Sequence, residues 1–362
     1  MPAMVVTVVG FAALAMAMGI GRFAFTPILP MMQDDAGLSI ADGGWLASAN
    51  YAGYLVGALS AIRLPLPPGA AIRAGLLLIS LATLAMGLHG GFAYWVALRV
   101  VAGVASAWVL VFVSAWALAK RAHGGLLYAG VGAGIAAAGL LCLALMAVHA
   151  SSSAAWTTLG AAAFIVTAVV WRIFDSAPNP ASGFADAKPR SRHWLLILCY
   201  GAFGFGYIIP ATFLPAMAKE VIANPVLFGW AWPVFGVAAA ASTYVAGSFS
   251  NQRTVWIVAT MVMALGVALP LVLPGFPGIL LAAILVGGTF MVITMAGMQE
   301  ARRVAAERAR PLMAAMTSAF AFGQIVGPLW VGYRSGVAQS LLAAAVVLVL
   351  SAAALFSNAV ET

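Results

Sequence analysis

The sequence predicts an all-α integral membrane protein of twelve transmembrane helices arranged as two six-helix repeat halves. Three observations carry this: the chain is too apolar for a soluble domain, apolar windows of bilayer length recur twelve times, and one residue pattern returns at a constant offset. Of the 362 residues, 64% are hydrophobic and only 7% are charged. A soluble domain carries about 25% charged residues, so the solvent of most of this chain is lipid.

A helix needs about 20 apolar residues to cross a hydrocarbon core of about 30 Å. Windows of that length fall at 4–31, 44–62, 71–88, 92–119, 126–148 and 154–174. After a polar gap they resume at 193–218, 226–248, 254–273, 277–298, 312–333 and 336–357. "MPAMVVTVVG" has no basic n-region and no small-residue cleavage site before a polar domain, so a retained first span is expected rather than a signal peptide. Cys142 and Cys199 fall inside apolar windows without the paired spacing of a zinc or redox motif, and read as small packing residues.

Loop charges orient the spans. With the N-terminus in the cytoplasm, the inner loops hold Arg63, Arg73, Lys120, Arg121, Arg172, Lys188, Arg190, Arg192, Arg253, Arg302, Arg303, Arg308 and Arg310. The outer loops hold Lys219 and Arg334, and the first of them is acidic, with Asp34, Asp35 and Asp42. Thirteen basic residues against two is the bias of cytoplasmic loops, and it predicts a multi-pass protein of the plasma (inner) membrane with both termini inside. The net charge of +8 is explained by this topology and implies no nucleic-acid partner.

The longest gap, "DSAPNPASGFADAKPRSRH" at 175–193, is rich in Pro, Ser, Ala and charge and reads as a cytoplasmic linker. It divides the chain into an N-terminal half (1–174), a linker (175–192) and a C-terminal half (193–362). The halves repeat. Gly19, Gly21, Leu29, Pro30 and Met32 match Gly204, Gly206, Leu214, Pro215 and Met217, all 185 residues apart. At the same offset Gly44–Trp45 meets Gly229–Trp230, and the Leu-Pro and Gly-Trp pairs make coincidence a poor explanation.

Repeated six-span halves joined by a cytoplasmic linker resemble the major facilitator superfamily of secondary transporters, in which the substrate site lies near the midplane between the halves. "LRVVAGVASAW" (98–108) resembles the superfamily's arginine-and-glycine motif, with Arg99 and Gly103 in register. "YAGVGAGIAAAG" (128–139) and "GQIVGP" (323–328) resemble its glycine-rich segments. More narrowly, "GIGRFAFTPILP", "GWLASANYAGYLVGAL" and "YGAFGFGYIIPATFLPAM" resemble the YbfB/YjiJ branch. There are departures: the loop between spans two and three, "GALSAIRLPLPPGAAIR", has no acid, and the fifth span lacks the Gly-Pro pair of antiporters.

The chemistry-bearing residues are few. Arg22 and Arg99 sit inside spans, whereas the nine acids and four histidines fall in loops or at span ends. Each buried guanidinium costs at least about 2.5 kcal/mol, so each needs a purpose. Arg22 lies about 16 Å from the outer end of its window and Arg99 about 12 Å from its own, at similar depth. On regular helices Arg22 shares a face with Ala15, Gly19 and Thr26, and Arg99 with Gly103, Ser106 and Ser114. Two unpaired guanidinium groups around one cavity suit a small organic anion, which a planar fork binds bidentately. The other reading is structural, with each arginine bonding carbonyls opened near Pro27 and Pro30 or neighbouring hydroxyls.

Thr26, Asn50 and Tyr54, with Tyr51 beside them, would line one wall of such a cavity, and Tyr207, Thr212 and Thr289 the other. Gln324 would reach the interface between halves. Each of these also suits interhelical hydrogen bonding, worth about 0.6 kcal/mol per bond. Gly103, Gly130, Gly134, Gly139, Gly323, Gly327 and Pro328 are the candidates for close helix packing and gating. With no Asp, Glu or His in mid-span, proton coupling would use Asp34, Asp35, Glu300 or the substrate itself; otherwise transport is a uniport. No catalytic constellation, metal spacing or cofactor motif is present, so a monomeric transporter of a small molecule is expected rather than an enzyme. A neutral or cationic substrate, including an effluxed one, is the alternative, and the absence of a buried acid counts against a cation.

Overall fold

A computed structural model describes residues 2–61, 64, 66–88, 90–120, 122–174, 193–222, 224, 227, 229–305, 309–331 and 336–360. The predicted linker at 175–192 lies outside the described residues, as do Arg63, Arg121, Arg308 and Arg334. Every regular element among the described residues is a helix. In order they are α1 (Ala3–Leu14), a π-helix π1 (Ala15–Ile20), α2 (Phe25–Asp35), α3 (Ile40–Ala61), α4 (Pro68–Met86), α5 (Phe92–Ala119), α6 (Gly124–Ala147) and α7 (Ser152–Val170). The second group is α8 (Trp194–Val221), α9 (Ala231–Ala246), α10 (Gln252–Val272), α11 (Phe276–Ala305), α12 (Ala309–Trp330) and α13 (Gly336–Val360).

Among the described residues nine stretches are long and apolar enough to cross a bilayer: Ala3–Asp35 as one run, then α4, α5, α6, α7, α8, α10, α11 and α13. The helices outside that set are α3, α9 and α12. All three lie where the N-terminal and C-terminal helices meet, α3 against α12 and α9 against α6. A helix that faces protein in place of lipid can carry small and polar residues without exposing them to hydrocarbon. That is why α3 tolerates Asn50 and α12 tolerates Gln324, both fully buried.

Within the N-terminal group α5 packs on α3 and α4, α4 on α7, and α6 on α1 and π1. Within the C-terminal group α8 packs on α12 and α13, and α10 on α11 and α13. Loop acids start helices. Ser39 and Asp42 form a capping box at the start of α3, and Asp35 accepts from the Ser152 amide and hydroxyl at the start of α7.

The first window differs from its expected form as one regular helix. The amides of Gly21 and Phe23 bond five residues back, to Met16 and Met18, and residues 21–24 are turns. Two glycines and a proline explain the break. Gly19 is pressed against the backbone of Gly134, where an added Cβ would lie 2.3 Å from its carbonyl carbon. Pro27 has no amide hydrogen, so the Phe23 carbonyl takes the Thr26 amide instead, and the Arg22 carbonyl is left open. The face that a regular helix would give Arg22 is therefore not the face it has.

Two contacts reproduce the repeat offset. The Thr26 hydroxyl donates to the Ala211 carbonyl at 3.0 Å, and Lys219 pairs with Asp34. Both pairs are 185 residues apart.

Candidate functional site

The break in the first span sets Arg22 between the two groups of helices. Its side chain is 2% exposed. The guanidinium carbon lies 4.0 Å from the Tyr54 ring centroid, 5.2 Å from that of Tyr51 and 5.3 Å from that of Phe23. Nη2 donates to the Gln324 side-chain oxygen, across the junction between the broken first span and α12. Nε has no partner, and Arg22 makes no ion pair among the described residues. The positive charge is compensated by ring faces and one neutral amide.

Gln324 continues the network by donating from Nε2 to the Tyr207 hydroxyl. Tyr207 is stacked between Phe290 and Phe320, each 5.6 Å away and within 7° of parallel. Position 207 is the repeat counterpart of position 22, so Gln324 joins two counterparts that differ in chemistry. Phe23 packs on Trp232 and Phe290, at 6.2 Å in both cases, and the buried Trp232 indole N–H also lacks a partner. Two unsatisfied donors, one from each group of helices, thus flank one phenyl ring.

Arg99 lies at the same level, but backbone surrounds it. Its Nη2 donates to the Arg22 carbonyl at 3.1 Å, its Nε to the Leu46 carbonyl at 3.4 Å, and its guanidinium lies 5.0 Å from the Phe25 ring. The carbonyl left open by Pro27 is the one Arg99 bonds. Asn50 does similar work, with Nδ2 donating to the carbonyls of Gly21 and Arg99 at 3.3 and 3.0 Å.

The remaining candidates divide between contacts that cross the junction and contacts that pack helices elsewhere. Thr26 bonds Ala211, Tyr51 and Thr212 share a hydrogen bond of 3.2 Å, and Ser48 donates to the Ile325 carbonyl at 3.0 Å; all three cross between the groups. Thr289 bonds the Leu285 and Val286 carbonyls of its own helix. Gly130 and Gly134 pack on the first span, Gly139 on Pro233 of α9, and Gly323 and Gly327 on α8. The Pro328 carbonyl is met by Gly44, and Gly103 abuts Asn50.

Sequence reasoning missed an ion cluster built on a buried acid. Glu300 is fully buried and pairs with Arg303 through two 2.8 Å hydrogen bonds and with Arg253 at 3.4 Å. Arg253 also bonds the Leu355 carbonyl at 3.0 Å. The i,i+3 spacing of Glu300 and Arg303 was the available signal. The aromatic wall of Phe23, Trp232 and Phe290 was also missed, because in a chain this rich in apolar residues a ring carries no positional signal. No group of His, Cys, Asp and Glu able to hold a metal occurs among the described residues.

The fold matches solved transporters over nearly its full length. A crystal structure of a bacterial homologue of the human lysosomal transporter Spinster, in an inward-facing and occupied conformation, superposes with a TM-score of 0.71 at 16% identity. That match covers 96% of this chain and 95% of the other. A nucleoside transporter, NupG, superposes with a TM-score of 0.75 at 12% identity, covering 97% and 99%. At such identities the likeness is one of fold. No curated protein matches the sequence. A family model described as "Uncharacterised MFS-type transporter YbfB" matches residues 14–360. The chain is a multi-pass membrane transporter, and it belongs to the YbfB-type family of the major facilitator superfamily.

Proposed function

We propose that the protein carries a small organic anion by alternating access, with Arg22 as the anion's partner. One observation carries this reading: a buried guanidinium at the junction of the two groups of helices has a neutral amide as its hydrogen-bond partner and an unpartnered Nε. Leaving a charge buried and unpaired is costly, and a carboxylate from solution supplies the missing counter-ion. Tyr54, Tyr51, Thr212 and Tyr207 then form the walls. Arg99 and Asn50 position Arg22 by holding the backbone of the broken span.

The wider reading is twelve spans in two six-helix halves, a linker at 175–192, both termini cytoplasmic, the inner membrane and a monomer. The contacts between residues 185 apart support the repeat, because counterparts meet where a two-fold axis passes between them. Asp35 and Asp42 are engaged as helix caps and Asp34 by Lys219, which favours uniport or a proton carried with the substrate over a proton on the mouth acids.

The test is thermal unfolding of the detergent-purified protein against acetate, lactate, succinate and benzoate beside sugars and amines. A ligand at 100 times its Kd stabilises by about 2.7 kcal/mol. A carboxylate shift lost in Arg22→Ala, with matching loss of uptake into liposomes, is the expected result. A shift with sugars or amines that survives Arg22→Ala would end the anion reading.

A further inference from the structure

We propose that the Gln324 side chain is a tethered competitor for the anion on Arg22, and that displacing it couples binding to movement. The inference rests on Arg22 as the anion's partner. Arginine can only donate, so the Gln324 oxygen must face Arg22 and its NH2 must face the Tyr207 hydroxyl. The amide is thereby fixed at both ends, fully buried, on a helix that packs across the junction from the first half of the chain. An amide has the shape of a carboxylate, planar and with an acceptor oxygen, but lacks its charge. It occupies Arg22 as a weaker substitute for the ligand, since it offers one acceptor oxygen and no charge where a carboxylate offers two oxygens and a negative charge.

The consequence follows from where the two groups are anchored. Arg22 belongs to the broken first span and Gln324 to α12, so their bond ties the two halves of the chain at the depth of the site. An anion that replaces Gln324 converts this cross-tie into a bond on one side alone. Nearby cross-ties remain, Ser48 to Ile325 and Tyr51 to Thr212, so the junction is weakened without falling apart. A ligand shifts a conformational equilibrium only by its differential affinity for the two states, and the surrendered Gln324 bond supplies that difference. Tyr207 cannot follow the anion, because Phe290 and Phe320 clamp its ring.

The experiment measures the Kd of the best-binding carboxylate among acetate, lactate, succinate and benzoate on full-length wild type, Gln324→Ala, Gln324→Glu and Arg22→Ala. Removing the competitor in Gln324→Ala tightens binding by about tenfold, the equivalent of one hydrogen bond to a charged group. Gln324→Glu puts a permanent carboxylate on Arg22 and abolishes binding while thermal stability is kept, which separates occupation of the site from misfolding. Hydrogen exchange in α12 rises when the anion binds wild type and is already raised in anion-free Gln324→Ala. Unchanged or weaker binding in Gln324→Ala overturns the proposal, since Gln324 would then be inert or part of the binding set. If Arg22→Ala binds the carboxylate as wild type does, the anion reading itself falls. If neither wild type nor Gln324→Ala binds any carboxylate, both fall.

Discussion

Arg22 and Arg99 are equally buried, each 2% exposed, and one of them bonds the backbone of the other. Their surroundings nevertheless differ in kind. Arg99 is held by two carbonyls, Leu46 on α3 and Arg22 in the broken span, so its hydrogen bonds are fixed by backbone within the N-terminal group of helices. Arg22 is held by a side-chain amide that has its own second partner, by the faces of Tyr54 and Tyr51, and by nothing at Nε. The difference shows that burial alone does not identify a binding group. The partner is the sharper criterion: carbonyls bonded in a backbone break are structure, whereas a side-chain amide and an orphan donor are the groups that the proposed anion would exchange with.

The largest effects expected from this contrast separate binding from stability. Arg22→Ala loses carboxylate affinity by at least about 30-fold, the low end of removing one partner of a buried charge pair. It keeps most of its melting temperature, because the cost of leaving the buried Gln324 oxygen without a donor is offset by removing a buried charge that has no counter-ion. Arg99→Ala behaves in the opposite way. It leaves the Arg22 carbonyl, already opened by Pro27, buried without a donor and lowers stability by about 1–3 kcal/mol, the cost of one unsatisfied group. Unfolding of both variants in detergent, with and without the carboxylate, checks the pair. A melting temperature in Arg22→Ala that falls as far as in Arg99→Ala would erase the distinction between the two arginines.

A smaller effect tests the scaffold between them. A Cβ on Gly103 would lie 2.0 Å from the Asn50 carbonyl oxygen and 2.8 Å from the Tyr54 amide, so Gly103→Ala forces α3 away from α5. Overpacking of this kind costs about 1–3 kcal/mol. Because Asn50 and Tyr54 move with α3, affinity for the carboxylate weakens too. Gly288→Ala is the matched control, since its nearest neighbour would be the Ala238 Cβ at 3.9 Å. That substitution is expected to be neutral or slightly stabilising, as for an ordinary helical glycine replaced by alanine. Equal losses in both variants would remove the claim that the contact of α3 with α5 supports the site.

What could be read from the sequence divides along the same line. The membrane class followed from composition, the family from the resemblance of motifs such as "GIGRFAFTPILP", and the two arginines from the rarity of charge in a span. The conformation of the first span did not. Helical periodicity gave Arg22 a regular face, whereas Gly19, Gly21 and Pro27 combine with packing against Gly134 to break it, and packing is invisible in a single chain's pattern. The partner of Arg22 was equally hidden. Gln324 lies 302 residues away, and its place on α12 was readable only as a polar residue that some interface must satisfy. Glu300 read as a residue at a span end, and its burial depends on Arg253 from another helix.

The smallest effect concerns the one carboxylate that, among the described residues, meets a cation across the junction. Asp34 pairs with Lys219, yet their side chains are 70% and 27% exposed, far wetter than Arg22. Lys219 also donates to the Pro30 carbonyl at 3.0 Å, so it keeps a partner when the acid is lost. An exposed pair of this kind contributes about 0.2–1 kcal/mol. Asp34→Asn is therefore expected to change carboxylate uptake into liposomes by no more than a few-fold in low salt. The change should disappear near 1 M salt, where the Debye length is about 3 Å. A full charge pair at the mouth would then matter less than a neutral amide at the centre, because the mouth is hydrated and the centre is not. If uptake by Asp34→Asn is instead abolished at every salt concentration, Asp34 is carrying a proton, and coupling belongs to the mouth acid rather than to the substrate.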